Sequence, residues 1–380
     1  MLSTRLSGRV PRAARSAVRR GREQARQVRA VAGLALGLST LLYGCSTPAA
    51  FSVPAITSVT PSASGTPNSV AYLGNYEFVS VQGTGQIYTY NISSGEQALA
   101  SVYATPCAGP SGMVLAAIAG KTVMAVPCYD TNSLLTLTVN ANGSLSAFGS
   151  VSGLAMPFPG IVLDGTDVLV PLFGGNSANG AIAKVSIASP ANPVITATVT
   201  LASPVSGGVA NAEYLAIAGG YVYVTSGSES NPLGSSSTVQ VINEATMTLV
   251  GSPLVVAHSP QQIAIEGTVA YVTIFDASEL ESIDISNPAS LQPLQVMPLT
   301  AGNQGCNALP IAVQGNFAYI GCYGQAAIEQ LNIANPARMQ AAAVLSGISF
   351  PQRLTIAGDS LLVTGATTGG QVYRIDLARF

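Results

Sequence analysis

The sequence predicts an all-β fold, a seven-bladed β-propeller closed by an N-terminal strand, and three observations predict it. An aliphatic run capped by glycine recurs seven times through the 380 residues. Further apolar runs follow each of those glycines at nearly fixed distances. The last copy lacks a fourth run, and a matching run stands alone ahead of the first copy, at 54–60. Self-similarity of this period marks a repeat architecture, and four short strands per ~45 residues make a propeller blade.

The first strands end at Gly74, Gly120, Gly165, Gly219, Gly267, Gly315 and Gly358, as in Ala71-Tyr72-Leu73-Gly74 and Ile263-Ala264-Ile265-Glu266-Gly267. Glycine between two short β-branched or aromatic runs signals a hairpin, because the turn needs positive φ. Second strands such as Tyr221-Val222-Tyr223-Val224 and Ala318-Tyr319-Ile320 come next. Third strands are expected to end at Ile92, Val139, Ile187, Val241, Ile285, Ile333 and Leu377. A turn rich in Ser, Asn and Pro then leads into a fourth strand, as at 194–201 and 291–299. Blades three and four carry extra residues at 173–180 and 226–237, between second and third strands. Insertions confined to one loop position mark one face of a repeat array. Residues 54–60 resemble the fourth strand at 193–200, so they are expected to complete blade seven and seal an edge that would otherwise template aggregation. A transmembrane barrel is excluded, since its strands need ~9–11 residues and these runs are shorter.

The best-kept copies carry a family resemblance. Ala270-Tyr271-Val272 followed by Ile283-Asp284-Ile285-Ser286-Asn287-Pro288 resembles the LVIVD-repeat and YVTN-type propellers of bacterial surface and periplasmic proteins. Blade six repeats it as Leu331-Asn332-Ile333-Ala334-Asn335-Pro336, while blades two and four are degenerate. The resemblance implies a fold more than an activity.

The leader reads differently. Nine arginines (Arg5, Arg9, Arg12, Arg15, Arg19, Arg20, Arg22, Arg26, Arg29) and one acid, Glu23, precede residue 30. The apolar run at 30–42 suits a signal peptide and is too short for a span of ~20 residues. It ends in Leu42-Tyr43-Gly44-Cys45, which resembles the bacterial lipobox, although Tyr43 departs from the usual small or aliphatic residue. The resemblance implies that the Cys45 thiol is lipidated and that cleavage leaves it first in the mature protein. The expected organisation is a signal peptide at 1–44, a lipidated Cys and tether at 45–53, and the propeller at 54–380. Ser46 is not an Asp, which by analogy with enterobacterial sorting implies the outer membrane of the cell envelope. Past Cys45, six basic residues face sixteen acidic ones, a balance of −10. So few cations exclude a nucleic-acid binder, because phosphate contacts need Lys and Arg.

Four cysteines remain. Cys107 and Cys128 flank the first hairpin of blade two, and Cys306 and Cys322 flank that of blade six. In an antiparallel hairpin the start of one strand lies beside the end of the next, so disulfides Cys107–Cys128 and Cys306–Cys322 are expected, as export permits. A metal site is the alternative, but no His accompanies either pair. The only imidazole in the mature part, His258, precedes blade five. As a general base it would need a partner, and Glu213, Asp276 or Ser259 could lie on the same rim; Asp276 and Glu229 are candidate binding residues with it. The competing reading is a solvated loop beside Pro260, a blade-boundary proline that also occurs as Pro67 and Pro351. The acid groups Asp164 with Asp167, and Asp276 with Glu279 and Glu281, lack the spaced oxygen ligands of a calcium loop. No catalytic residues, no cofactor and no metal are expected. The sequence therefore points to a membrane-anchored envelope scaffold that takes an unknown envelope protein or ligand on its loop-rich face. The alternative is a propeller enzyme of the lactonase or hydrolase type with a channel-bound metal.

Overall fold

A computed structural model describes residues 56–175, 178–204, 208–227, 237–299 and 305–380. Cys45, the leader and the tether expected at 45–53 lie outside the described residues. Seven four-stranded antiparallel sheets follow one another, six of them taking their strands in chain order. Blade five, for example, is built from Pro260–Glu266, Val269–Ile274, Glu279–Asp284 and Gln292–Pro298. The seventh sheet is completed from the other end of the sequence. Its strands Pro351–Ala357, Ser360–Gly365 and Val372–Asp376 gain Ile56–Val59 as their outermost partner, with Ile56 opposite Ile375 and Val59 opposite Val372. The expected closure is therefore present.

Burial follows position in the blade. Second strands such as Val269–Ile274 are buried almost throughout, because neighbouring blades cover both their faces. Fourth strands such as Val194–Thr200 alternate between exposed and half-buried residues, as a strand with one face in water does. Tyr271 and Leu280 of blade five pack in one cluster with Ile311, Ile320 and Leu331 of blade six, so the core is a series of seams between blades.

Two registers differ from expectation. In blade two both Ala119 and Gly120 have positive φ, and the turn begins one residue earlier than in blade five, where Gly267 is the first turn residue. In blade four the third strand runs to Asn243, two residues past Val241. The amide that follows a third strand bonds a turn carbonyl in six blades: Ile92, Ile187, Ile285, Ile333 and Leu377 donate in five of them, and Glu244 does so in blade four. A carboxylic acid thus occupies a place otherwise held by Ile or Leu, and counting apolar residues led to the wrong one.

The seams have a shared chemistry. Six residues after the repeat glycine stand Ser80, Thr225, Thr273 and Thr364. Their hydroxyls donate into the next blade, to the carbonyls of Ser111, Gln261, Leu309 and Asn68 at 3.0, 2.6, 2.8 and 3.3 Å. Three of them also accept an amide of their own first strand, from Ser69, Tyr214 and Gln262. The first strands slip register at these points, between Pro67 and Ser69, Ala212 and Leu215, Pro260 and Ile263, and Pro351 and Arg353. The boundary prolines sit there because a slipped strand needs no ladder donor.

Candidate functional site

Loops that join second to third strands, and fourth strands to the next blade, share one face. Cys107 and Cys128 are disulfide-bonded there, as are Cys306 and Cys322, with Cα atoms 6.0 and 4.4 Å apart. Side chains add further ties. Asp130 accepts the amides of Ala108 and Gly109, Glu281 accepts that of Ala257, and Gln240 both accepts from and donates to the backbone of Ala202. Burial pushes the Glu281 carboxyl up, and the Ala257 amide opposes the rise. Of nine described non-glycine residues at positive φ, seven lie on this face: Asn132, Met156, Ser259, Ser278, Asn307, Ala326 and Phe350. Only Ala119 and Met247 lie on the other. Strained backbone of this kind persists only where the surroundings over-determine it, and it gathers at working surfaces.

The rim residues come together in part. His258 Nδ1 and Asp276 Oδ2 are 2.7 Å apart. Both are substantially open to water, with side chains 33% and 52% exposed, so the pair adds at most about 1 kcal/mol to stability. Glu229 lies outside the described residues, and Glu213 is buried. Ser259 joins the neighbouring loop through its amide, which donates to Ser237 Oγ.

The mouth of the channel holds residues that the sequence reading missed. Arg353 of blade seven places its guanidinium over the ring of Tyr214 in blade four, 4.4 Å from the centroid. Blades four and seven are not neighbours in a ring of seven, so this contact crosses the axis. Gln262 of blade five donates to the Gln352 carbonyl of blade seven, spanning blade six at 3.0 Å. Burial lowers the Arg353 pKa and raises that of Tyr214. Phe158 meets the Tyr214 ring edge-on at 5.9 Å and stacks on Phe173 at 5.4 Å, giving the mouth an aromatic wall. A signal was present in the sequence. Five residues before the repeat glycine stand Ser69, Gly160, Tyr214, Gln262, Pro310 and Arg353 in six blades, a non-aliphatic column that only Leu115 of blade two breaks.

The opposite face carries a charged cluster. Lys184 lies 3.2 Å from Asp167 and 3.5 Å from Glu244. Burial and the adjoining Asp164 raise the Glu244 pKa against the pull of Lys184. The Asp164–Asp167 turn is thus tied to an ammonium rather than simply solvated. Among the described residues, the three metal-type ligands that converge are Cys306, Cys322 and Glu329, and their two sulfurs are bonded to each other. No described helix is long and apolar enough to cross a membrane.

The LVIVD repeat model matches residues 259–293 and 305–340, which are blades five and six. No curated protein matches the chain. Among solved structures it is similar to virginiamycin B lyase from Staphylococcus aureus, at 11% identity over 85% of this chain and 99% of that one, with a TM-score of 0.63. It is similar to the hydrazine synthase of Kuenenia stuttgartiensis, at 14% identity over 83% and 97%, with a TM-score of 0.66. It also resembles BamB from Moraxella catarrhalis, at 11% identity over 81% of each chain, with a TM-score of 0.52. At such identities the likeness concerns the fold alone. The chain is a seven-bladed propeller bearing LVIVD repeats, and its two disulfides suit an oxidising, extracytoplasmic compartment.

Proposed function

We propose that this LVIVD-repeat propeller is a binding scaffold of the cell envelope, lipid-anchored through Cys45, whose partner docks on the loop-rich face. The concentration of positive-φ residues on that face carries the reading. Loops held in strained shapes by disulfides and side-chain ties form a rigid platform, which suits recognition. The tether fits this orientation, because Ile56 lies beside Ile375 at the tight-turn end and the chain therefore enters the ring on the far side from the loops. The enzyme alternative needs a cation in the channel, where the Arg353 guanidinium is an unfavourable neighbour. Metal analysis of the purified protein tests it, and a stoichiometric divalent ion would favour the enzyme.

Two experiments test the scaffold. Shortening 226–237 to the length found in blade five should weaken cross-linked partner capture from membranes while folding is retained. Capture that survives this change and fails after substitution of Thr268 and Asn316 would move the site to the opposite face. Cys45→Ala should abolish palmitate labelling, and unchanged labelling would remove the anchor.

A further inference from the structure

We infer that the loop-rich mouth of the channel is a binding site for a small carboxylate that carries hydrogen-bond donors beside its acid group, an α-hydroxy or α-amino acid. The inference goes beyond the scaffold reading and depends on neither the lipid nor the rim partner. Arg353 is 9% exposed. Among the described residues no carboxylate lies within salt-bridge distance of it. Its Nη2 is buried and has no hydrogen-bond partner. What meets the guanidinium is the uncharged Tyr214 side chain, through its ring face and its hydroxyl. Buried charges are ordinarily paired, and a ring face replaces only part of lost hydration, so the guanidinium is poised for an anion that would form paired, charge-assisted hydrogen bonds.

The surroundings specify what else the ligand carries. Of ten buried side-chain atoms without partners among the described residues, five lie at the loop-rich ends of blades one, four and seven: Arg353 Nη2, Gln352 Oε1, Asn68 Oδ1, Asn211 Oδ1 and Ser226 Oγ. Asn68 and Gln352 stand at the first-strand slips of blades one and seven, and Asn211 and Ser226 at the loop-rich end of blade four. Three of the five are amide oxygens, which accept hydrogen bonds and would repel a bare anion. A carboxylate with an adjoining hydroxyl or amine satisfies both kinds of atom. The Phe158 and Phe173 rings beside Tyr214 favour an aromatic side chain on the same molecule.

The test uses the full-length protein with its arginines labelled with ¹⁵N and titrates phenyllactate against phenyllactamide. Four arginines fall in the described residues, Arg338, Arg353, Arg374 and Arg379. The acid should shift the Arg353 Nε–H resonance saturably, and the amide should bind roughly tenfold or more weakly. Arg353→Gln should abolish binding, and Tyr214→Phe, which keeps the ring and the cation, should retain it. A tripeptide with a free carboxyl terminus, run beside its amidated form, separates the sources. If only the free-terminus peptide shifts Arg353, the site stands and its ligand is a chain end. An Arg353 resonance that neither acid moves overturns the site without recourse to any mutant. Equal binding of acid and amide, or affinity that survives in Arg353→Gln, overturns it too.

Discussion

Blade five and blade three share four strands and a turn glycine, yet they hold the ring differently. In blade five the first strand spans seven residues, slips register, and is latched by Thr273 to its own Gln262 and to Leu309 of blade six. In blade three Pro171 stands where Thr273 does, the first strand shrinks to Val162–Asp164, and a lone bridge from Pro157 to Leu172 continues it. Blade two follows blade three, with Pro127 at that place and a bridge from Pro110 to Cys128. The difference teaches a hierarchy. Backbone pairing holds every blade, disulfides reinforce some, and the hydroxyl latch is an option that a blade can lose.

The hierarchy is most exposed at blade seven. Deleting residues 50–60 should unpair Val372–Asp376 and drive the protein to aggregate on size exclusion, the largest effect expected. A deletion variant with the parent's melting temperature would show that outer pairing is dispensable. Paired Cys→Ser changes at Cys107 with Cys128, or at Cys306 with Cys322, should each cost about 3 kcal/mol in denaturant unfolding. Non-reducing peptide mapping should recover those two pairs and no others.

Thr273→Val should cost about 1–3 kcal/mol, because it strands a buried amide and a buried carbonyl. Ser111→Ala in blade two should cost less, since Pro127 keeps the Ser111 amide as a donor. Equal losses in the two variants would break the comparison. The smallest effect is a pH dependence at the seam between blades seven and one. Burial raises the Glu77 pKa there, against the Gln97 hydrogen bond and the attraction of Arg374. A carboxyl with a raised folded pKa contributes stability that is complete below its unfolded value of 4.5 and is lost as pH climbs through the folded one. Glu77→Gln should therefore melt with the parent at acid pH and above it near neutrality. The opposite slope would mean that Arg374, rather than burial, governs the carboxyl.

Much of this was legible, and for a physical reason. Strand period and turn chemistry are local, so the seven glycines located seven blades. The match of 54–60 to a fourth strand foretold the closure, because an unpaired edge demands a partner. The cysteine pairs followed from hairpin register. Features that depend on neighbours across a seam were less visible. Glu244 was hidden because the insertion between the second and third strands of blade four removes the fixed distance from the glycine, and an acid does not stand out as the counterpart of Ile285. Arg353 and Tyr214 were hidden because they lie 139 positions apart and only closing the ring brings them together. Reading columns at fixed offsets from the glycine, rather than single strands, would have found both the hydroxyl latch and the Arg353–Tyr214 contact.

The antiparallel match of Ile56–Val59 with Val372–Ile375 joins segments about 320 positions apart, so it also has a consequence in time. The strand Ile56–Val59 must wait for Val372–Asp376, which is made much later. Blades one to six can form in sequence as they emerge, but the ring stays open, with its free edge uncovered, until the final repeat exists. A chain interrupted before Val372 leaves its opening strand without a mate. Such a product would present a bare edge to proteases and chaperones, so the closure also reports whether the seventh blade has been made.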